Sequence, residues 1–128
     1  MHEMKKMGFA IGNHSRSHAR FPKIDFEIQK AELLEANSIL LKENLSEDLN
    51  FCFPFGDDSV NNEFFEWMYS EANILKSFGT AGLKKDHFIN HLHRILMEHE
   101  NFDASEIIKS EYIYYFLKSF FNKNKIRR

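Results

Sequence analysis

An alternation constrains this chain more than any other feature. Short apolar runs at Phe9-Ala10-Ile11-Gly12, Asn50 to Phe53 and Ile74 to Phe78 are separated by segments of helical periodicity. Runs of four or five apolar residues bounded by turn residues read as buried strands. Strand, helix, strand, helix, strand predicts an α/β fold with a largely parallel sheet.

The intervening pattern sets expected element limits. Met1 to Met7 reads as the end of a helix, with Met1, Met4 and Met7 packed in the core and Gly8 as its stop. Phe21-Pro22 marks a loop, and Asp25 is the expected N-cap of a helix running to about Leu45. Phe26, Leu33 and Leu40 form its apolar stripe, supported by Leu34 and Leu41. Pro54 ends the strand before it, because proline cannot donate to a ladder, and Gly56-Asp57-Asp58-Ser59 is the loop that follows. The expected role of Asp57 and Asp58 is a turn and the cap of the next helix. That helix spans about Asn61 to Ala72, burying Phe64, Phe65, Met68 and Ala72.

Gly79-Thr80-Ala81-Gly82 closes the third strand, and Lys84 to His93 reads as polar and irregular. Arg94 to Met97 is the candidate fourth strand. Ser105 to Phe121 reads as a long helix carrying Ile108, Tyr112, Tyr115, Phe116 and Leu117. One domain is expected over residues 1–121, followed by a basic, frayed tail at 122–128.

Composition excludes several functions. With 17 basic and 19 acidic residues the formal net charge is −2, which argues against nucleic-acid binding by bulk charge. No run of 18 apolar residues is present, so no membrane span is expected. Met1 to Lys6 leads into no apolar signal core; with Met1 as the true start, a cytoplasmic chain is expected. The single cysteine, Cys52, cannot form an internal disulfide and reads as a small buried hydrophobe.

The chemistry-bearing stretch is Gly12-Asn13-His14-Ser15-Arg16-Ser17-His18. It follows the first apolar run, where a strand gives way to a loop or helix. In a helical turn, residues i and i+4 share a face, so both imidazoles can reach one metal ion. Two hydrogen-bonded loop histidines are the alternative reading. His87 and His91 repeat the spacing in a polar setting and, like His2, read as surface residues.

His14-Ser15-Arg16-Ser17-His18, entered through Met7-Gly8-Phe9-Ala10-Ile11-Gly12-Asn13, resembles the second motif of the polysaccharide deacetylases (carbohydrate esterase family four, the nodulation-type deacetylase homology domain). Phe51-Cys52-Phe53-Pro54-Phe55-Gly56 is similar to the third motif, and His93-Arg94-Ile95-Leu96-Met97 to a later Arg-Ile segment. The three lie in family order between Met1 and Glu98. The resemblance implies part of a distorted (β/α) barrel and a metal-dependent hydrolase that removes acetyl groups from N-acetylated sugars. It implies zinc or another divalent metal on His14 and His18, and a substrate wall at Pro54 and Phe55. His93 or His99 is near the place of the acid histidine, with His93 preferred, and Arg94 can supply a guanidinium.

Two departures accompany it. The family's first motif, Thr-Phe-Asp-Asp-Gly, supplies the base and third ligand, and nothing like it precedes His14; the expected domain is therefore N-terminally truncated. Cys52 stands where the third motif often has an orienting arginine. The alternative function is a non-catalytic remnant that binds sugar or protein, self-associating through uncovered barrel edges.

Overall fold

A computed structural model describes residues 1–128. Its elements are α1 (His2–Lys6), α2 (Phe26–Lys42), β1 (Asn50–Cys52), α3 (Asn62–Ser70), β2 (Lys76–Gly79), β3 (His91–His93) and α4 (Ala104–Ser119), with a 3₁₀ turn at Phe21–Lys23. The strands form one parallel sheet in the order β1-β2-β3. The fold is α/β with an open sheet. Phe51 pairs with Ser77, and Ser77 with His91, so one row of residues crosses all three strands. No helix is long and apolar enough to cross a membrane.

Aromatic side chains hold the layers together. Phe51 and Phe53 bracket the end of β1, Phe21 comes from the 3₁₀ turn, and Phe64 and Phe65 from α3; all five are fully buried. Their rings meet edge-on or tilted, at 4.8 Å between Phe51 and Phe53 and 5.3 Å between Phe21 and Phe64. Such geometry sets positive ring edges against negative faces. Leu33 from α2, Met68 from α3, and Ala72 and Ile74 from the α3–β2 connection complete this core.

Several expectations hold. Asp25 is the N-cap residue of α2, and Phe64, Phe65, Met68 and Ala72 are the buried face around α3. Gly8 takes φ +90° just past α1, a left-handed stop.

Others are corrected. Phe9 to Gly12 forms no strand: only Asn13 pairs, through one parallel bridge to Phe51. Its N–H bonds the Asn50 carbonyl at 2.8 Å, and its carbonyl accepts from Cys52 N–H at 2.8 Å. Phe9 itself is exposed. Met1, Met4 and Met7 face solvent rather than the core, because α1 is fastened by polar contacts such as Lys5 Nζ to the Asn44 carbonyl at 2.7 Å. Leu34 and Leu41 are exposed: each lies one residue past a stripe position, and one residue turns about 100° around the helix. Gln29, Ala36 and Asn37 complete the buried face instead.

The fourth apolar run, Arg94 to Met97, is not a strand. β3 comes from His91–His93 in the segment read as irregular, because its neighbours bury polar partners rather than apolar ones. On α4 only Ile107 is buried, while Tyr112, Phe116 and Leu117 are exposed. The tail at 122–128 is not frayed. Asn124 carbonyl accepts from Lys85 N–H at 2.8 Å, and Ile126 N–H donates to Lys85 carbonyl at 2.9 Å.

If the aromatic cluster carries the fold, Phe53→Ala should lower unfolding free energy in urea by about 3–5 kcal/mol, the range for deleting a buried aromatic ring. Leu34→Ala, on the exposed face, should change it by less than about 0.5 kcal/mol.

Candidate functional site

Parallel strands end at one edge, and loops beyond that edge carry the sites of α/β sheets. Two polar centres are built from such loops here.

The first centre is the 13–18 loop. Asn13 is buried and anchors it: Nδ2 donates to the Leu33 carbonyl at 2.9 Å and to Asn37 Oδ1 at 2.7 Å, and Oδ1 accepts from Ser15 N–H at 2.7 Å. Ser17 binds Glu32 through its N–H at 2.8 Å and its hydroxyl at 2.7 Å. Burial pushes the Glu32 carboxyl up, but these bonds together hold it below the usual carboxylate range. Arg16 pairs with Glu35. The loop is thus pinned to α2. It is not helical, since Ser15 and His18 take φ of +63° and +59°.

That backbone brings His14 and His18 together by a route other than helical spacing. Their ring centroids lie 5.0 Å apart, and His18 lies 4.9 Å from Phe55. His14 Nδ1 is 2.8 Å from the Cys52 carbonyl, so Nδ1–H donates and Nε2 keeps its lone pair. Arg20 covers the Phe55 ring at 4.5 Å. Pro54, half-buried, shares the turn with Phe55. His14, His18 and Phe55 therefore share one rim. Arg94 instead ties strand ends, donating from Nη2 to the Phe53 carbonyl at 2.8 Å and from Nε to the Gly79 carbonyl at 3.2 Å. Cys52 is half-buried, and burial raises its thiol pKa, with Arg94 opposing weakly; the thiol stays protonated.

His93 lies in the second centre, with Asp57, Asp86 and His91. One ligand atom from each of these four lies within 4.8 Å of the others, so the group can hold a metal ion. His91 is buried, contrary to the surface reading, and Asp57 is no ordinary turn residue. Asp57 Oδ2 faces His91 Nε2 at 2.9 Å and accepts from Arg128 Nη2 at 2.7 Å; Oδ1 accepts from Thr80 N–H at 3.2 Å. Arg128 Nη2 also donates to Asp86 Oδ2 at 2.7 Å. Burial alone would raise the Asp57 carboxyl; bonds from His91 and Arg128 outweigh it and hold the group far below the carboxylate range. Asp86 is lowered similarly, with the Phe88 N–H and Arg128 opposing burial.

A relay runs outward from this centre. With His91 neutral, Nε2–H faces Asp57 and Nδ1 accepts from Ser77 hydroxyl at 2.6 Å; Ser77 in turn accepts from Tyr69 at 2.5 Å. Burial pushes the Tyr69 phenol up to about 12. Burial, followed by the neighbouring His91, pushes His93 down, so its 3.5 Å approach to Asp86 is proximity rather than an ion pair.

No protein-family model, curated protein or solved structure matches this chain.

The rim was visible in sequence because His14 and His18 are adjacent on the chain. The buried centre joins residues 57, 86, 91, 93 and 128, which no local spacing links, and it packs directly against Gly79. A Cβ there would collide with the Asp57 carboxylate and the His93 ring. Gly79→Ala should therefore destabilise the fold by about 1–3 kcal/mol in urea titration, as overpacking does. The Tyr69 shift predicts an alkaline limb. A raised folded-state pKa adds stability that is complete below pH 10 and is lost as pH rises toward 12. Tyr69→Phe should remove that pH dependence from the unfolding midpoint.

Proposed function

We propose that this chain is part of a metal-dependent hydrolase that removes acetyl groups from N-acetylated sugars, with a polysaccharide-deacetylase-like, partial (β/α) barrel architecture. The observation that carries the reading is the meeting of His14, His18 and Phe55 at one rim. His18 and Phe55 are 37 positions apart in the chain, yet their rings lie 4.9 Å apart, which supports the reading. His14 Nε2 is left free to bind a cation, because Nδ1 is committed to the Cys52 carbonyl. Phe55, half-buried between His18 and Arg20, supplies an aromatic wall beside the imidazoles for a sugar ring to pack on.

The donor set fits zinc in part. Zinc accepts imidazole nitrogen readily, and a catalytic zinc takes three protein ligands and one open position. His14 and His18 supply two. No Asp, Glu or Cys among residues 1–128 joins them in a group of three. The third ligand and the base belong to the acidic motif that this chain lacks. When bound, the metal would polarise the amide carbonyl and activate water. The chain's own share is to present two imidazoles on a loop locked to α2, with an aromatic wall beside them. His93, enclosed in the second centre, is a poor donor to a leaving amine at the rim.

The incomplete donor set favours a second reading, a non-catalytic remnant that binds carbohydrate. Open sheet edges would also support self-association.

The two readings separate in one experiment. Acetate release from an N-acetylated chitooligosaccharide is measured with zinc, alongside sugar binding by calorimetry. Zinc-dependent release that is lost in H14A/H18A supports the hydrolase. Sugar binding without release, weakened about tenfold by Phe55→Ala, supports the remnant, since one stacking contact is worth about 1–2 kcal/mol. Neither release nor binding overturns both.

A further inference from the structure

We propose that Asp57, Asp86, His91 and His93 form an internal site for a divalent transition metal of the zinc class, and that Arg128 is a stand-in cation that must leave before the metal enters. This site is separate from the His14–His18 rim and does not depend on the deacetylase reading.

Three observations carry it. The first is the donor set. Two imidazoles and two carboxylates are a common four-coordinate complement for zinc, and one ligand atom of each already lies within 4.8 Å of the rest. Ligand atoms around tetrahedral zinc stand about 3.4 Å apart, so closure takes side-chain movements of about 1 Å.

The second is an unshared nitrogen. The His93 side chain is 2% exposed, yet its Nε2 has no hydrogen-bond partner. It points toward Asp86 Oδ2 at 3.5 Å, too far for a good bond. The ring's other nitrogen holds only a 3.4 Å contact from Ala81 N–H, which a small rotation gives up. Buried polar atoms are normally satisfied, so an orphan imidazole nitrogen turned toward the Asp86 carboxylate, within a group of four ligand atoms, marks a missing partner.

The third is charge. With neutral imidazoles, Asp57 and Asp86 carry two negative charges and Arg128 returns one positive charge. A dication balances both. Arg128 also fits imperfectly: its side chain is 2% exposed, Nη2 serves both carboxylates, Nη1 bonds the Asp57 carbonyl, but Nε has no partner. The guanidinium and the metal need the same two carboxylate oxygens, so they exclude each other.

The exchange is mechanically simple. The tail is fastened near the site by the Lys85 N–H to Asn124 and Ile126 N–H to Lys85 bonds and by Arg128 packing 4.0 Å over Phe65. Releasing these contacts frees the oxygens without disturbing the aromatic core beneath. On binding, the proton of neutral His91 moves from Nε2 to Nδ1; Nε2 is then free to ligate, and Nδ1–H donates to Ser77, reversing the direction of the relay to Tyr69.

The test is made in the H14A/H18A background, so that failure of the rim reading and failure of this one remain distinct. Co²⁺ is titrated and followed by the visible absorption of a four-coordinate site, then displaced by Zn²⁺. The expected result is one site, tightened about tenfold or more by Arg128→Met, which removes the competing cation but keeps apolar cover on Phe65. His93→Gln should abolish the four-coordinate spectrum. A second measurement is hydrogen exchange at Ile126, whose N–H is held by Lys85. Saturating Zn²⁺ should speed it about tenfold or more, and have no effect in His93→Gln. If Arg128→Met does not fold, this measurement decides. Cobalt affinity unchanged by both substitutions, or zinc binding that leaves Ile126 exchange unaltered, overturns the proposal.

Discussion

The carboxylate of Asp57 is the point on which the strand ends depend. It lies on the loop after β1, yet it accepts from Thr80 just beyond β2, faces His91 of β3, and binds Arg128 of the tail. A buried charge of this kind is tolerable only because every direction of approach supplies a donor. Removing one partner of such a buried pair typically costs about 3–5 kcal/mol, because the other charge is then stranded. Three strands of three or four residues each have little ladder to hold them, and this carboxylate joins their ends from the side.

The aromatic core supplies what the short sheet lacks. Phe21, Phe51, Phe53, Phe64 and Phe65 pack between the sheet and helices α2 and α3, and Phe65 continues outward to stack on Phe88 at 4.9 Å. Phe65 also lies edge-on to His91 at 4.9 Å and under Arg128 at 4.0 Å. The polar centre is therefore floored by apolar rings. That floor lowers the local dielectric and strengthens each hydrogen bond above it, while raising the penalty for any group left unpaired.

The two centres differ in how readily they could be read. The rim was legible because His14 and His18 are near in sequence and Phe55 sits in a recognisable turn. Its scaffold was less so. Buried Asn13, which fastens the loop to Leu33 and Asn37, looks like an ordinary loop asparagine until α2 lies beside it. The helical turn expected for the pair gave way to left-handed residues at Ser15 and His18, since Asn13 and Glu32 take the backbone groups that a helix would use. His91 and Arg128 were misplaced for one shared reason. Polarity is a sound guide to exposure only while a group lacks partners, and both bury their charge or dipole against Asp57.

What the chain determined by itself is the alternation of apolar runs and amphipathic helices, the buried stripe of Phe64, Phe65 and Met68, the cap at Asp25 and the left-handed stop at Gly8. These rest on periodicity and backbone stereochemistry, which act over a few residues. Tertiary structure alone decided that His91–His93 forms a strand, that the α1 methionines and the α4 aromatics stay in water, and that residues 122–128 fold back. Each of those outcomes depends on a partner well outside the local window, from 14 residues away for His91 on Ser77 to 71 for Arg128 on Asp57, or on the lack of one, and no local pattern encodes the position of a distant surface.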